Sequence, residues 1–367
     1  MEQYKPRLFP VLIKATLLLV LFNFAFVLTK EIPFGSLSLY NIIFTGRERF
    51  PFGETRESYN LSLFDLDAMF ASHILSGTEK SQTEFRVLLI GDSSVWGTLL
   101  APEQTLAGQL NRQSISACGK NVRAYNLGYP TISLTKDLMI LHEARQYQPD
   151  MIIWLTTLEA FPRNKQFESP FVANNPERFQ ELASIYELNN ANDPAIKPPS
   201  VWKHTFINRR RTLADIFRLQ LLGVLWSSTG IDQIYQKDYE RALIDLESSE
   251  NFHEIPKSNS IIESLSIDVL DGGMSANPVP TILINEPMLI SNGRNSDIRY
   301  NFFYPRWAYD LYRVQLADLA KMQGWYYLDL WNLVPSNEFT NSAIHLTPDG
   351  ESLLAEKVSV AIQKYCE

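Results

Sequence analysis

Residues 86–97 read R-V-L-L-I-G-D-S-S-V-W-G. A short, mostly aliphatic run enters Gly91-Asp92-Ser93-Ser94, and Gly97 follows close behind. An apolar run of this length bounded by turn residues is the pattern of a strand covered on both faces. Gly, Asp and Ser are ordinary turn formers, with Asp92 suited to bracing the loop through its carboxylate. Two hydroxyls and a carboxylate at the end of a buried strand are also what a nucleophile turn needs. The rest of the chain separates these readings.

Downstream, the same rhythm repeats. Apolar strands are expected at 122–126, 151–155, 279–287 and 325–330, separated by amphipathic helices at 102–111, 133–145, 306–321 and 347–364. Alternating strands and helices imply a parallel sheet with helices on both faces, an α/β fold. Ligands of such sheets sit beyond the carboxyl ends of the strands, where residues 91–94 fall. More than 110 residues separate the third and fourth strands, far more than a crossover needs. A helical insertion is therefore expected at about 163–275, containing F-I-N-R-R-R-T-L-A-D-I-F-R-L-Q-L-L-G-V-L-W with Arg209, Arg210 and Arg211 near its start. Asp215 and Arg218 interrupt its apolar part, so it is read as a cap packed on the core, the alternative being an interfacial helix resting on a membrane.

The amino terminus has its own signal. Residues 8–28 are mainly apolar, broken by Pro10, Lys14 and Asn23, and are long enough to cross a bilayer if Lys14 snorkels. Lys5, Arg7 and Lys14 precede the apolar centre and Lys30 follows it, which keeps the amino terminus cytoplasmic and exports the body. A cleaved signal peptide with its core at 15–28 exports the body too, but T-K-E-I-P-F-G offers no small-x-small cleavage site. The expected organisation is a tail and transmembrane anchor at 1–30, a juxtamembrane lead-in at 31–85, and one large domain at 86–367. Two cysteines, Cys118 and Cys366, would then lie in an oxidising compartment where one disulfide is possible. The net charge of −8 and the lack of a basic stripe argue against nucleic acid. No CxxC, HExxH or Walker-type motif occurs, so neither a metal nor a cofactor is expected.

Three further blocks align with the first. Asn126-Leu127-Gly128-Tyr129-Pro130 closes the second strand, Thr156-Thr157-Leu158-Glu159 the third, and His345-Leu346-Thr347-Pro348-Asp349-Gly350 precedes the last helix. With these, residues 86–157 and 280–367 resemble the SGNH (GDSL) hydrolase family. The resemblance implies a flavodoxin-like three-layer α/β/α sandwich around a parallel five-stranded sheet. It assigns Ser93 as nucleophile, His345 as general base, and the backbone N–H groups of Ser93 and Gly128 as oxyanion donors. Two blocks are degenerate. Leu158 and Glu159 stand where the family's third block has Asn-Asp, and Ser342 stands three before His345 where the fifth block has Asp. Ser342, Asp329 or Glu159 could orient His345, while Asn285 and Glu286 are candidates for the substrate rim.

A serine hydroxyl becomes nucleophilic when a neighbouring imidazole takes its proton. The intermediate's oxyanion needs preorganised donors, each worth about 2.7–4 kcal/mol. The expected activity is that of a membrane-anchored extracytoplasmic serine esterase acting on an O-acyl ester of a glycan or lipid. Two alternatives remain open: an O-acyltransferase to a cell-envelope polysaccharide on the same site, and a catalytically silent glycan-binding or scaffolding protein.

Overall fold

The computed structural model describes residues 8–29, 32–53, 61–189, 200–231, 238–242, 246–275 and 278–366. Lys5, Arg7 and Lys30, on which the charge asymmetry partly rests, lie outside the described residues. The chain opens with helix α1 (Leu8–Ala25), extended by a 3-10 turn to Thr29; this 22-residue segment reaches a mean hydropathy of 2.4 over its most apolar 18 residues and stands almost entirely clear of the body. The lead-in folds onto the domain through α2 (Leu66–Ser72), whose N-cap Asp65 accepts from Ala68 N–H. His73, buried beside it, bonds the carbonyls of Glu48 and Asn126 through Nε2.

The central layer begins at β1 (Glu84–Ile90). It continues through α3 (Ser93–Trp96), α4 (Leu106–Gln113), β2 (Ser116–Ala117), β3 (Lys120–Asn126), α5 (Leu134–Ala144) and β4 (Met151–Thr156). The insertion supplies α6 (Pro170–Asn174), α7 (Pro176–Ile185), α8 (Phe206–Arg218), α9 (Val224–Thr229) and α10 (Ile267–Ser275). A π-turn over Leu219–Gly223 joins α8 to α9. Then come β5 (Thr281–Asn285), α11 (Arg306–Gln323), β6 (Tyr326–Asp329) and α12 (Pro348–Lys364).

The strand order is β2-β3-β1-β4-β5-β6, with β3, β1, β4, β5 and β6 parallel and β2 antiparallel at the edge. The five parallel strands thus have the flavodoxin-like order, whose switch point lies beside β1. Side chains alternate across the sheet. Val87 and Leu89 of β1 face α4 and α12, whereas Leu88 and Ile90 face α5 and α11. Both faces are covered, which is why each strand reads as an unbroken apolar run.

Two differences from the sequence reading have physical causes. β1 starts two residues before the aliphatic run because Glu84 and Arg86 are buried as a pair at 2.6 Å, with Arg86 N–H donating to Asp150. The additional strand, β2, is a two-residue partner of β3 and too short to leave a periodic signal. Cys118, in the turn between β2 and β3, is disulfide-bonded to Cys366 at the end of the chain, their Cα atoms 5.0 Å apart.

That bond closes a loop of 248 residues. Peptide mapping without reductant should recover the Cys118–Cys366 cross-linked pair, and Cys118→Ser should lower the unfolding free energy by about 2–4 kcal/mol. Two free thiols in the purified full-length protein would contradict the pairing.

Candidate active site

The turn after β1 is built as a very short helix with both ends tied down. Asp92 caps α3, its Oδ1 accepting Ser94 N–H at 2.8 Å, and Gly97 ends it in the left-handed region at φ +84°. Ser93 is the first helical residue, so its N–H has no intrahelical acceptor and its side chain stays partly open to solvent. Ser94 points the other way and donates its hydroxyl to Glu286 Oε2. Arg49, from the lead-in, lies over the Trp96 ring and donates to the carbonyls of Trp96, Gly97 and Leu100.

His345 meets Ser93 from the loop before α12. Its Nε2 lies 2.8 Å from Ser93 Oγ, and its Nδ1 lies 2.8 Å from Asn341 Oδ1. An amide oxygen only accepts, so Nδ1 carries the proton and Nε2 is left to accept Ser93 Oγ–H. Burial pulls the imidazole down to about 4, so it is neutral at pH 7 and ready to take a proton.

The partner of His345 is therefore none of the three expected residues. Ser342 makes no hydrogen bond with the ring; its neighbour Asn341 meets Nδ1 instead. Asp329 is held by Arg313 at 2.6 Å and by Asn285 Nδ2 at 2.8 Å. Glu159 is paired with Lys165, and its Oε2 lies 2.8 Å from His253 Nε2. Asn285 and Glu286 are also not on an open rim, since both are fully buried. Asn285 accepts from Tyr309 and donates to Asp329, and Glu286 holds Ser94.

Gly128 lies beside α3, where a Cβ would stand 2.3 Å from Trp96 N. Glycine is needed here for close approach of two backbones, rather than for approach of a ligand. Its N–H donates to Asn126 Oδ1 at 3.0 Å, so holding an oxyanion would require sharing or releasing that bond. Asn126 in turn donates to Val95 O at 2.7 Å and so couples the Gly128 turn to α3. Beneath both turns, Lys136 is fully buried and donates to Gly91 O at 2.7 Å and Tyr129 O at 3.1 Å, with Asp137 paired to it at 2.5 Å.

Behind Ser94, Glu286 and Glu351 line a cavity of about 10 Å³, the size of one water molecule. Glu286 Oε1 and Glu351 Oε2 are buried there without a hydrogen-bond partner among the described residues. Burial, reinforced by nearby Asp92, raises Glu286 well above the carboxylate range, and burial pushes Glu351 up to about 8. Glu351 therefore keeps its proton at neutral pH, and burial drives Glu286 in the same direction.

Asn341, Lys136 and Arg49 escaped the sequence reading. A Lys-Asp pair inside the otherwise apolar S-L-T-K-D-L-M-I-L was the available signal for Lys136. Nothing local in the sequence distinguishes Asn341 from Ser342, and Arg49 acts across a fold.

No known family pattern and no curated protein matches this chain. Among solved structures, it is similar to a putative lipolytic protein of the G-D-S-L family from Desulfitobacterium hafniense, with 14% identity over 75% of this chain and 98% of that one and a TM-score of 0.33. It is also similar to Est24, a carbohydrate acetylesterase from Sinorhizobium meliloti (10% identity, 76% and 99% covered, TM-score 0.34). A third is an aryl esterase from M. smegmatis (12% identity, 76% and 98% covered, TM-score 0.34). The fold itself is α/β, a parallel sheet between two helical layers, and its carboxyl edge carries a hydrogen-bonded serine and histidine.

Glu351 makes the fold sensitive to alkali. Its folded value of about 8 exceeds its ordinary 4.5, so the folded state holds a proton the unfolded chain releases. Stability should fall as pH rises from about 4.5 to about 8, by about 1.4 kcal/mol per unit, with Glu286 adding in the same direction. Denaturant titrations across that window should show a shallower pH slope for Glu351→Gln; an unchanged slope would show that Glu351 ionises freely.

Proposed function

We propose that the protein is a membrane-anchored serine esterase of the SGNH type, with Ser93 as nucleophile and His345 as general base, acting on an O-acyl ester of a glycan or lipid outside the cytoplasm. The observation that carries this reading is the 2.8 Å contact between Ser93 Oγ and the neutral His345 Nε2. In the reaction, Ser93 Oγ bonds to the acyl carbon as its proton passes to Nε2, and the carbonyl electron pair moves onto oxygen. The N–H of Ser93, aided by that of Gly128 once released from Asn126, faces this oxyanion. Collapse breaks the ester C–O bond, and the departing oxygen takes the proton from Nε2. Water then repeats the sequence on the acyl-serine, releasing the acid and restoring Oγ–H.

Asn341 is the positioning residue for His345, in the role an Asp takes in charged triads. It fixes the tautomer and ring plane but gives the imidazolium no counter-charge. The anchor rests on α1, whose length and hydropathy of 2.4 suit a single span, and the charge asymmetry favours export of the body. In this reading, residues 86–367 are the catalytic domain, with the insertion at about 163–275 covering one side.

A fluorophosphonate probe tests the nucleophile directly. The detergent-solubilised full chain should be labelled, and labelling should vanish in Ser93→Ala. Absence of labelling in the wild type would instead favour the silent glycan-binding reading. Incubating an acyl donor with candidate glycans separates hydrolysis, which releases free acid, from transfer, which yields acylated glycan.

The pH profile tests the base and its positioning residue together. Because His345 sits at about 4, the acid limb of kcat/KM should fall near pH 4 rather than near 6.5. Asn341→Ala should lower kcat by about 10- to 150-fold, the equivalent of a hydrogen bond to a charged group worth about 1.5–3 kcal/mol. Asn341→Asp should move the acid limb upward by placing a carboxylate against the ring. An acid limb that stays put in Asn341→Asp would remove Asn341 from the site.

A further inference from the structure

We propose that α8, α9 and the loop at 37–44 form a second membrane contact, an apolar face laid on the lipid surface beside the point where α1 leaves the bilayer. The inference rests on the anchor reading of α1 and adds a lipid-binding surface to it.

The start of α8 is joined to the last turns of α1. Phe206 packs against Phe22 and Phe26 with ring centroids 5.2 and 5.5 Å apart, and Trp202 packs against Phe24 at 5.3 Å. Asn23, the one buried residue of α1, accepts Ile207 N–H at 2.9 Å. A buried amide at that depth of an apolar helix is costly unless paired, and α8 supplies the pair. Aromatic rings clustered at one end of a span are the usual composition of a membrane interface. These contacts therefore fix the beginning of α8 at the level of the lipid headgroups.

From there the helical segment has two apolar faces. Ile216, Leu219 and Val224 are buried against the body. Phe217, Leu221 and Leu225 recur every four residues on the opposite side and are 64%, 51% and 56% exposed. An exposed row of large apolar side chains opposite a buried row is not what a simple cap requires. The loop at 37–44 extends the same surface. Leu39 N–H donates to Gln220 Oε1 at 2.5 Å, and beyond it stand Ile42, 79% exposed, and Ile43. Exposed Lys203, Arg210 and Arg211 flank the α8 start and would meet anionic headgroups.

Lipid is the occupant favoured here because the face continues directly from the span. A helix with one row of large apolar side chains and basic residues beside them lies in the plane of an interface. A soluble partner would have to cover the same row while avoiding the bilayer beside it. Held at two points, the domain has a restricted tilt, which sets the height of Ser93 above the membrane.

Spin labelling of the full chain in nanodiscs of mixed zwitterionic and anionic phospholipid tests the inference, with the native disulfide kept intact. Single nitroxides are placed at Leu221→Cys, Leu225→Cys and Ile42→Cys, with Leu18→Cys inside α1 and Met322→Cys on exposed α11 as references. The first three should be relaxed more by oxygen than by a water-soluble nickel chelate, like Leu18→Cys and unlike Met322→Cys. Nickel access at all three with Leu18→Cys still in lipid overturns the inference and leaves the face to a protein partner. Spin–spin broadening at Leu221→Cys overturns it in favour of a second copy of this chain. Nickel access at Leu18→Cys as well removes the anchor itself, and this inference with it.

Discussion

A fully buried ammonium holds the two turns of the candidate site together. Lys136, near the start of α5, meets Gly91 O, Tyr129 O and the Asp137 carboxylate. Two carbonyl acceptors and an adjacent carboxylate charge compensate an ammonium that could not otherwise leave water. Gly91 follows β1 and Tyr129 follows β3, so one cation sets the spacing of the turns carrying Ser93 and Gly128. Breaking a buried pair of this kind costs on the order of 3–5 kcal/mol, much of it from the charge left behind. The strand order makes this possible, because β1 and β3 are neighbours at the switch point and α5 crosses beneath both.

The short helix α3, which carries Ser93, is determined from several directions at once. Asp92 caps its beginning, Asn126 and Arg49 take its last carbonyls, and Ser94 anchors its underside to Glu286. A helix of four residues has almost no stability of its own. Its geometry comes from these four contacts, contributed by β3, the lead-in and the end of β5. The lead-in is consequently part of the architecture of the site, although in sequence it resembles a connector between anchor and domain. Fixed donors and hydroxyls of this kind need no rearrangement when charge develops.

Legibility in the sequence followed the range of the interactions. Strands and helices of the sheet are written in local apolar periodicity, and β1, β3, β4, β5 and β6 all fall where the aliphatic runs predict them. Ser93 and His345 were legible because each sits where a strand or loop meets a helix, in a short block of small and polar residues. The orientation of His345 was not, because Asn341 and Ser342 differ by one position in a loop whose path depends on distant contacts. Thr340 N–H donates to His345 O at 2.9 Å, and Leu289 N–H from beyond β5 donates to Ala343 O at 2.7 Å. Those bonds set the path of the loop in which Asn341 reaches Nδ1 of His345. Similarly, Asn285 and Glu286 have the composition of rim residues, but tyrosines from α11 and the hydroxyl of Ser94 enclose them.

The charge state of the buried acids completes the electrostatic account. Asp92, Asp137, Glu286 and Glu351 all lie beneath the turn, and burial raises every one of them. Were all four ionised, their field would oppose negative charge forming on an acyl oxygen above Ser93. Glu351, pushed up to about 8, adds no such repulsion at neutral pH, the burial of the other three works in the same direction, and the Lys136 ammonium offsets the charge that remains. The neutral amide of Asn341 fits the same pattern, since it orients His345 without adding another negative charge near the oxyanion. The cost falls on the other side of the proton transfer, where the imidazolium has no carboxylate beside it. In the proposed reaction, this arrangement would ease formation of the oxyanion more than it would support the protonated base, in keeping with an imidazole held near 4.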